Sequence, residues 1–291
     1  MNCELCPRKC NTDRAQKPGF CDMGKNLTAA LASLHFWEEP CIAGFGGAGA
    51  IFFSGCNLGC VYCQNREISR GKKGRPITVS RLLEIFDELV YAGADTIDLV
   101  TPTHFADLIA EALRIRKPPV PVVYNCGGYE KAETLQMLEG LIDIYLPDYK
   151  YADAALSKRL SAAPDYPETA LAAIKEMHRQ TGDWVLDEDG ILRSGVLVRH
   201  LVLPGHIENS LDCIDVLTNH FSEKNILLSV MSQYTPPREP LDDPDLNRRL
   251  TEAEYARVTD YLYLLGLENV YLQELSSAKE EYTPEFDFSG I

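Results

Sequence analysis

Three cysteines, Cys56, Cys60 and Cys63, share the segment Cys56-Asn57-Leu58-Gly59-Cys60-Val61-Tyr62-Cys63, with C-x3-C-x2-C spacing directly after an apolar run. Three thiolates on one tight loop can ligate three irons of a cubane cluster and leave the fourth iron without a protein ligand. Such an open position separates a catalytic metal centre from a closed structural one. Zinc fits this loop poorly, because no His or fourth Cys lies on it. A second set, Cys3, Cys6, Cys10 and Cys21, has the spacing C-x2-C-x3-C-x10-C. It is a complete ligand set for zinc or for an auxiliary [4Fe-4S] cluster, and the absence of paired C-x2-C knuckles tips it towards iron–sulfur. A structural metal is one reading of this set; relay of electrons to the other cysteines is the sharper one. Cys41, in Trp37-Glu38-Glu39-Pro40-Cys41, takes no role.

The chain has 291 residues and a 45% apolar fraction, enough to bury a large core. Short apolar strands are expected at Ala50–Ser54, Thr96–Val100, 120–125, 142–147, 196–203, 226–232 and 269–273. Between them, helical spacing falls at Val79–Tyr91, 105–115, 131–139, 167–179, 209–221 and 252–265. Nearly continuous apolar strands alternating with amphipathic helices predict an α/β fold, a partial or full parallel (β/α) barrel. Chemistry in such barrels gathers at the C-terminal strand ends. Six segments fall there: Cys56–Asn65, Thr101–His104, Asn125–Tyr129, Asp148–Lys150, Pro204–Gly205 and Gln233–Pro236. The division expected is a Cys-rich metal-binding head at 1–26, a connector at 27–48, the barrel at 49–275 and a loosely structured tail at 276–291. A Pro- and Asp-rich stretch, Thr235–Leu246, is the candidate for a long functional loop.

Charge narrows the partners. Acidic side chains outnumber basic ones 43 to 28, a net charge of −15, which argues against non-specific nucleic-acid binding. No apolar run reaches the roughly 18 residues of a membrane span, and no signal-peptide pattern opens the chain. The expectation is a cytoplasmic protein whose ten cysteines stay reduced. The glycines of 44–49 lack a phosphate-loop ending. Glu38 and Glu39 are adjacent, would diverge on a regular element, and so are not a paired acid and base. His178 is expected to be exposed on a helix, and His200 to be structural.

The central motif, with Tyr62 at its aromatic position, resembles the radical S-adenosylmethionine (SAM) superfamily signature. Over about residues 35–275 the chain is similar to that superfamily's pyruvate formate-lyase activating enzyme-like branch. The likeness is carried by Phe52-Phe53-Ser54-Gly55-Cys56, Cys63-Gln64-Asn65, Val100-Thr101-Pro102-Thr103-His104 and Arg199-His200-Leu201-Val202-Leu203-Pro204-Gly205. The resemblance implies a [4Fe-4S] cluster on Cys56, Cys60 and Cys63 whose open iron binds SAM, and a 5′-deoxyadenosyl radical that abstracts hydrogen. It also implies adenine contact for Tyr62, roles for Asp148 and Lys150 near the methionine and ribose of SAM, and carboxylate contact for Arg199. An ion pair of Arg199 with a strand-end acid is the alternative.

Three departures from the branch stand out. Thr101-Pro102-Thr103-His104 replaces Gly-Gly-Glu, so Thr101 or Thr103 would hold the SAM amino group. Asn125-Cys126-Gly127-Gly128 replaces Asp-Thr-Asn-Gly, which removes a cation-binding carboxylate and places Cys126 at the mouth. Gln233-Tyr234-Thr235-Pro236 replaces a His after the sixth strand. The partners implied are SAM, a flavodoxin- or ferredoxin-type electron donor and a glycyl-radical enzyme as substrate. Radical modification of a small molecule or peptide is the second reading, and a non-enzymatic iron–sulfur carrier or sensor the third.

Overall fold

A computed structural model of the chain describes residues 2–70, 72–277 and 284–291. Its first half runs β1 (Thr28–His35), α1 (Pro40–Ala43), β2 (Ala48–Phe53), α2 (Arg66–Ser69), β3 (Arg75–Pro76), α3 (Val79–Tyr91), β4 (Thr96–Val100), α4 (Ala106–Ile115), β5 (Val122–Cys126) and α5 (Ala132–Gln136). The second half runs β6 (Ile144–Pro147), α6 (Ala154–Ser161), α7 (Tyr166–Thr181), β7 (Val185–Leu186), β8 (Leu192–Leu201), α8 (Ile207–His220), β9 (Leu227–Met231), α9 (Glu252–Leu264) and β10 (Val270–Leu272).

Seven strands pair in parallel in the order β10-β9-β8-β6-β5-β4-β2. The order continues through antiparallel β1 and β3 without returning to β10, so the barrel is partial. Successive strand side chains face opposite ways, and here the two faces have different fillings. Tyr124, Tyr145, Val198 and Val230 join the large helix-side core. Val123, Ile144, Leu146, Leu197 and Leu227 form the apolar floor of the interior together with Cys41 and Ile42 of α1. Cys41 thus belongs to that floor. The Thr96 hydroxyl donates to the Ile42 carbonyl at 3.0 Å and ties α1 into place. Above the floor, the same strands present Asp98, Asn125, Arg199 and Ser229, two residues on from floor or floor-level positions.

The structure corrects several expectations. The 27–48 segment forms β1 and α1, and β1 completes the sheet beside β2. Its sequence, TAALASLH, is Ala-rich and carries little strand propensity, so only pairing reveals it. Of the tail, residues 278–283 lie outside the described ones, but the end is packed rather than loose. Phe286 is buried against Phe52, with ring centroids 5.5 Å apart, and the Phe288 N–H donates to the Ala30 carbonyl at 3.0 Å. In the 235–246 stretch, Leu246 is buried and its carbonyl accepts from the Tyr234 hydroxyl at 2.7 Å. His178 is half-buried and pairs with Asp183 at 3.0 Å. His200 is fully buried between the Tyr149 carbonyl and the Ser210 hydroxyl, the structural role expected of it.

Candidate functional site

The cysteine loop leaves the end of β2 through Gly55, whose φ of +84° suits glycine. A Cβ there would meet the Cys21 carbonyl oxygen at 2.5 Å, so the residue also permits the head to press against the loop. Each of the three sulfurs receives a hydrogen bond. The Leu58 N–H donates to Cys56 Sγ at 3.3 Å, the Ser161 hydroxyl to Cys60 Sγ at 3.1 Å and the Ser69 hydroxyl to Cys63 Sγ at 3.5 Å. Behind Ser161 stands a chain of hydroxyls. Tyr151 lies 2.8 Å from Ser161 and Tyr62 lies 2.8 Å from Tyr151. A thiolate only accepts, so the donors run from Tyr62 through Tyr151 and Ser161 to Cys60.

The triad fits a cluster by its donor chemistry: three sulfurs on one loop, each supported by a donor. Burial, then the neighbouring thiols, pushes the Cys63 thiol up to about 11, and bound iron would favour the thiolate outright. Among the described residues no three His, Cys, Asp or Glu converge as closely as a single metal ion requires. A cubane instead distributes its thiolates over separate irons.

A second feature fills the interior beside the loop. The Arg199 guanidinium donates to Asp148 Oδ1 and to Glu38 Oε1, both at 3.0 Å, and to Asn125 Oδ1 at 2.6 Å. Asn125 Nδ2 donates in turn to Glu38 Oε2 and Asp98 Oδ2, both at 3.1 Å. Lys150 closes the other end on Asp148. Burial alone would raise Asp148, but Lys150 and Arg199 outweigh it and hold the carboxyl below its usual range. Asp98 is driven well above its usual range by burial and by Glu38. Its Oδ1 has no hydrogen-bond partner among the described residues. Glu39, raised to about 7 chiefly by burial, accepts from Ser229 at 2.8 Å. The array thus sets two cations, Lys150 and Arg199, against the carboxyls of Asp148 and Glu38, with Asp98 and Glu39 beside them.

Of the residues singled out in sequence, Asn125, Asp148, Lys150 and Arg199 meet in this array. The ion pair considered for Arg199 is present. Thr103 and Cys126 go elsewhere. The Thr103 hydroxyl donates to Glu130 Oε1 at 2.6 Å, and Cys126, opposite in strand phase to Asn125, packs with Tyr124 in the helix-side core. Cys126 is thus not the interior residue expected from its place at a strand end. Tyr62 is 6% exposed and lies beside Tyr234, ring centroids 6.0 Å apart. Thr101 adopts φ +59°, an outlier for a β-branched residue, and its N–H donates to the Asn125 carbonyl at 2.8 Å.

Sequence reasoning missed Asp98 and Glu130, and it set Glu38 aside after weighing it only as an acid–base partner of Glu39, whereas it reaches Arg199 and Asn125. Glu130 is buried beneath Thr103 and Tyr124, and burial raises it to about 8. A signal for Asp98 existed, a lone acid within the apolar strand Thr96–Val100; Glu38 and Glu130 carried none.

The head lies directly on this loop. The Cys56 N–H donates to the Cys21 carbonyl at 3.3 Å. Arg8 donates to the Asn57 carbonyl at 2.7 Å and the Leu58 carbonyl at 2.9 Å, and also caps the C-terminal carbonyls of α6 at Ser161, 2.7 Å, and Ala162. Arg14 donates to the His104 carbonyl. Within the head, Cys10 and Cys21 flank Gly19, where a Cβ would lie 3.3 Å from Cys10 Sγ and 3.6 Å from Cys21 Sγ. On the open side of the barrel a cleft of about 600 Å³, lined by Trp37, Glu38, Met231, Gln233 and Gln273 among others, reaches Arg199.

Comparison with known proteins accords with this geometry. The sequence matches the family described as "Radical SAM superfamily" over residues 50–216. It is 29% identical to an uncharacterized protein of Methanocaldococcus jannaschii over 287 residues, covering 93% of this chain and 77% of that protein. Among solved structures, Streptococcus suis SuiB bound to precursor peptide SuiA aligns at TM-score 0.50 and 12% identity, over 78% of this chain and 48% of that one. Methylornithine synthase (PylB) aligns at TM-score 0.49 and 14% identity, over 75% of this chain and 68% of that one. The chain spans about half the length of SuiB, and the likeness concerns the fold.

Proposed function

This chain belongs to the radical SAM superfamily, and on that premise we propose that it cleaves SAM reductively and abstracts hydrogen from a substrate in the open-sided cleft. Cys56, Cys60 and Cys63 would hold a [4Fe-4S] cluster, and such a cluster would supply the one electron that splits SAM into methionine and a 5′-deoxyadenosyl radical. The chain's own residues hold and orient. Ser161, Ser69 and the Leu58 N–H stabilise thiolate charge. Arg199 offers a planar fork for the SAM carboxylate, in the place where Glu38 now sits. Asp148 and Lys150 position the zwitterion and ribose. Thr101 serves the amino group, since the Thr103 hydroxyl is already donated. Tyr62, at the end of the hydroxyl chain, borders the adenine. Residues 1–26 form a metal-binding head whose four cysteines would suit a second [4Fe-4S] cluster, which spreads its thiolates over separate irons, better than zinc, which needs them convergent.

The observation that carries this reading is the meeting, at one barrel mouth, of a three-cysteine loop and an ion-pair array of Lys150 and Arg199 with Asp148 and Glu38. A bound zwitterion can exchange charge partners with such an array without leaving any charge unpaired. For the substrate, activation of a glycyl-radical enzyme is one reading, and modification of a small molecule or peptide is equally consistent with the cleft. Anaerobically reconstituted protein given dithionite and SAM should release 5′-deoxyadenosine, and Cys60→Ala should abolish that release. An intact cluster that releases none would sink the proposal. A glycyl-radical EPR signal on an added glycyl-radical enzyme would select the first substrate reading, and its absence alongside a modified peptide or metabolite the second.

A further inference from the structure

We infer that the N-terminal head and the loop after α2 form one basic docking face for an acidic one-electron carrier protein. This rests on the proposed SAM cleavage, which consumes one electron from outside for each SAM cleaved. The transfer itself moves a single electron: the carrier is oxidised by one, the metal centre is reduced by one, and no bond forms.

The charge distribution is strongly uneven. Residues 1–26 and 64–75 hold ten of the 28 basic side chains but four of the 43 acidic ones, a net charge of +6. Everything else carries −21. The two segments are distant in sequence but form one surface. Arg70 donates to the Phe20 carbonyl at 2.7 Å and pairs with Asp22 at 3.2 Å. Two guanidiniums stand over the Phe20 ring, Arg8 at 4.0 Å and Arg70 at 4.7 Å from its centroid. Phe20 is 37% exposed, and Lys9, Lys17 and Lys72 are exposed on the same two segments.

An apolar ring set among cations, on a molecule otherwise strongly negative, has the composition of a contact patch for an acidic partner. The net negative charge of the remaining residues disfavours such a partner elsewhere, and the positive segments steer it here. The location suits electron delivery. A Cβ on Gly19, next to Phe20, would lie 3.3 Å from Cys10 Sγ and 3.6 Å from Cys21 Sγ. Arg8 reaches from the same face to the carbonyls of Asn57 and Leu58 within the catalytic cysteine loop. A carrier docked on Phe20 therefore stands beside both cysteine sets.

The test titrates the full-length reconstituted chain with purified flavodoxin by calorimetry, at low and at physiological salt. The parent should bind at low salt and weaken steeply as salt rises. The triple variant K9E/K17E/K72E should bind at least about 10-fold more weakly with a flatter salt dependence. Reversals on the acidic remainder, Glu111→Lys with Glu188→Lys, should change binding less than about 2-fold. Dithionite-driven 5′-deoxyadenosine release should be unchanged in the triple variant, which also reports that it is folded, while flavodoxin-driven release falls in step with binding. The inference is overturned if the triple variant binds like the parent, if the parent binds no flavodoxin at low salt, or if this face takes up single-stranded RNA instead. A parent that binds flavodoxin but releases no 5′-deoxyadenosine with dithionite would refute the SAM-cleavage reading separately.

Discussion

At the scale of single residues, the site is defined by which polar groups are buried and by what faces them. Glu130 is the clearest case, a carboxyl that has no cation paired with it among the described residues and accepts from Thr103 at 2.6 Å and Tyr124 at 3.2 Å. Burial raises it from 4.5 to about 8. Its folded value stands above its unfolded one, so its contribution to stability is full below pH 4.5 and is lost as pH rises towards about 8. Within that window the loss follows one proton, ~1.4 kcal/mol per pH unit. Glu130→Gln should therefore lose less stability than the parent between pH 5 and 8, as read from urea midpoints. Parallel curves for the two proteins would contradict the buried neutral carboxyl. None of this was visible along the chain, because Glu130 sits in an unremarkable stretch, Tyr129-Glu130-Lys131.

At the scale of elements, strand phase decides which residues reach the interior. Asn125 and Cys126 are neighbours in sequence, yet the pleat sends one into the charged array and the other to the helices. The long amphipathic helices were legible, and α3 matches its expected span, Val79–Tyr91. The short α1 and α2, and the Ala-rich β1, were not, since four residues or a run of small side chains carry no periodic signal. The exit of β4 holds a conformational cost that can be measured. Thr101 at φ +59° is strained by about 1 kcal/mol or more. Thr101→Gly should raise the unfolding free energy read from chemical denaturation by about 1 kcal/mol, whereas Thr101→Ala, which keeps its Cβ, should gain nothing comparable. No stabilisation from glycine would mean that the turn is not strained.

At the scale of the whole molecule, the head is held to the barrel by several long-range hydrogen bonds, and Arg8 makes four of them. Its fork satisfies carbonyls of the cysteine loop and of the α6 C-terminus at once. Arg8→Ala leaves those carbonyls without a donor and should cost about 3 kcal/mol in head docking. Trypsin should then cut within 1–26 much faster while the barrel stays resistant. Arg8→Lys should not restore protection, because one ammonium cannot span four acceptors. Equal cleavage of parent and variant would place the anchor elsewhere.

The cysteine spacings, the alternation of strands and helices and the uneven charge were all readable in the linear chain. Ligand spacing on one loop and the hydrophobic period of one element are local properties, and the first determined the superfamily resemblance while the second determined the α/β class. What only the tertiary structure decided is the company each side chain keeps. Glu38 reaches Arg199 across 161 residues, and Asn125 reaches it across 74. Ser161 finds Cys60 from 101 residues away. Such contacts depend on the closing of the sheet around its interior, and no local pattern encodes which distant strand or connector will supply the partner.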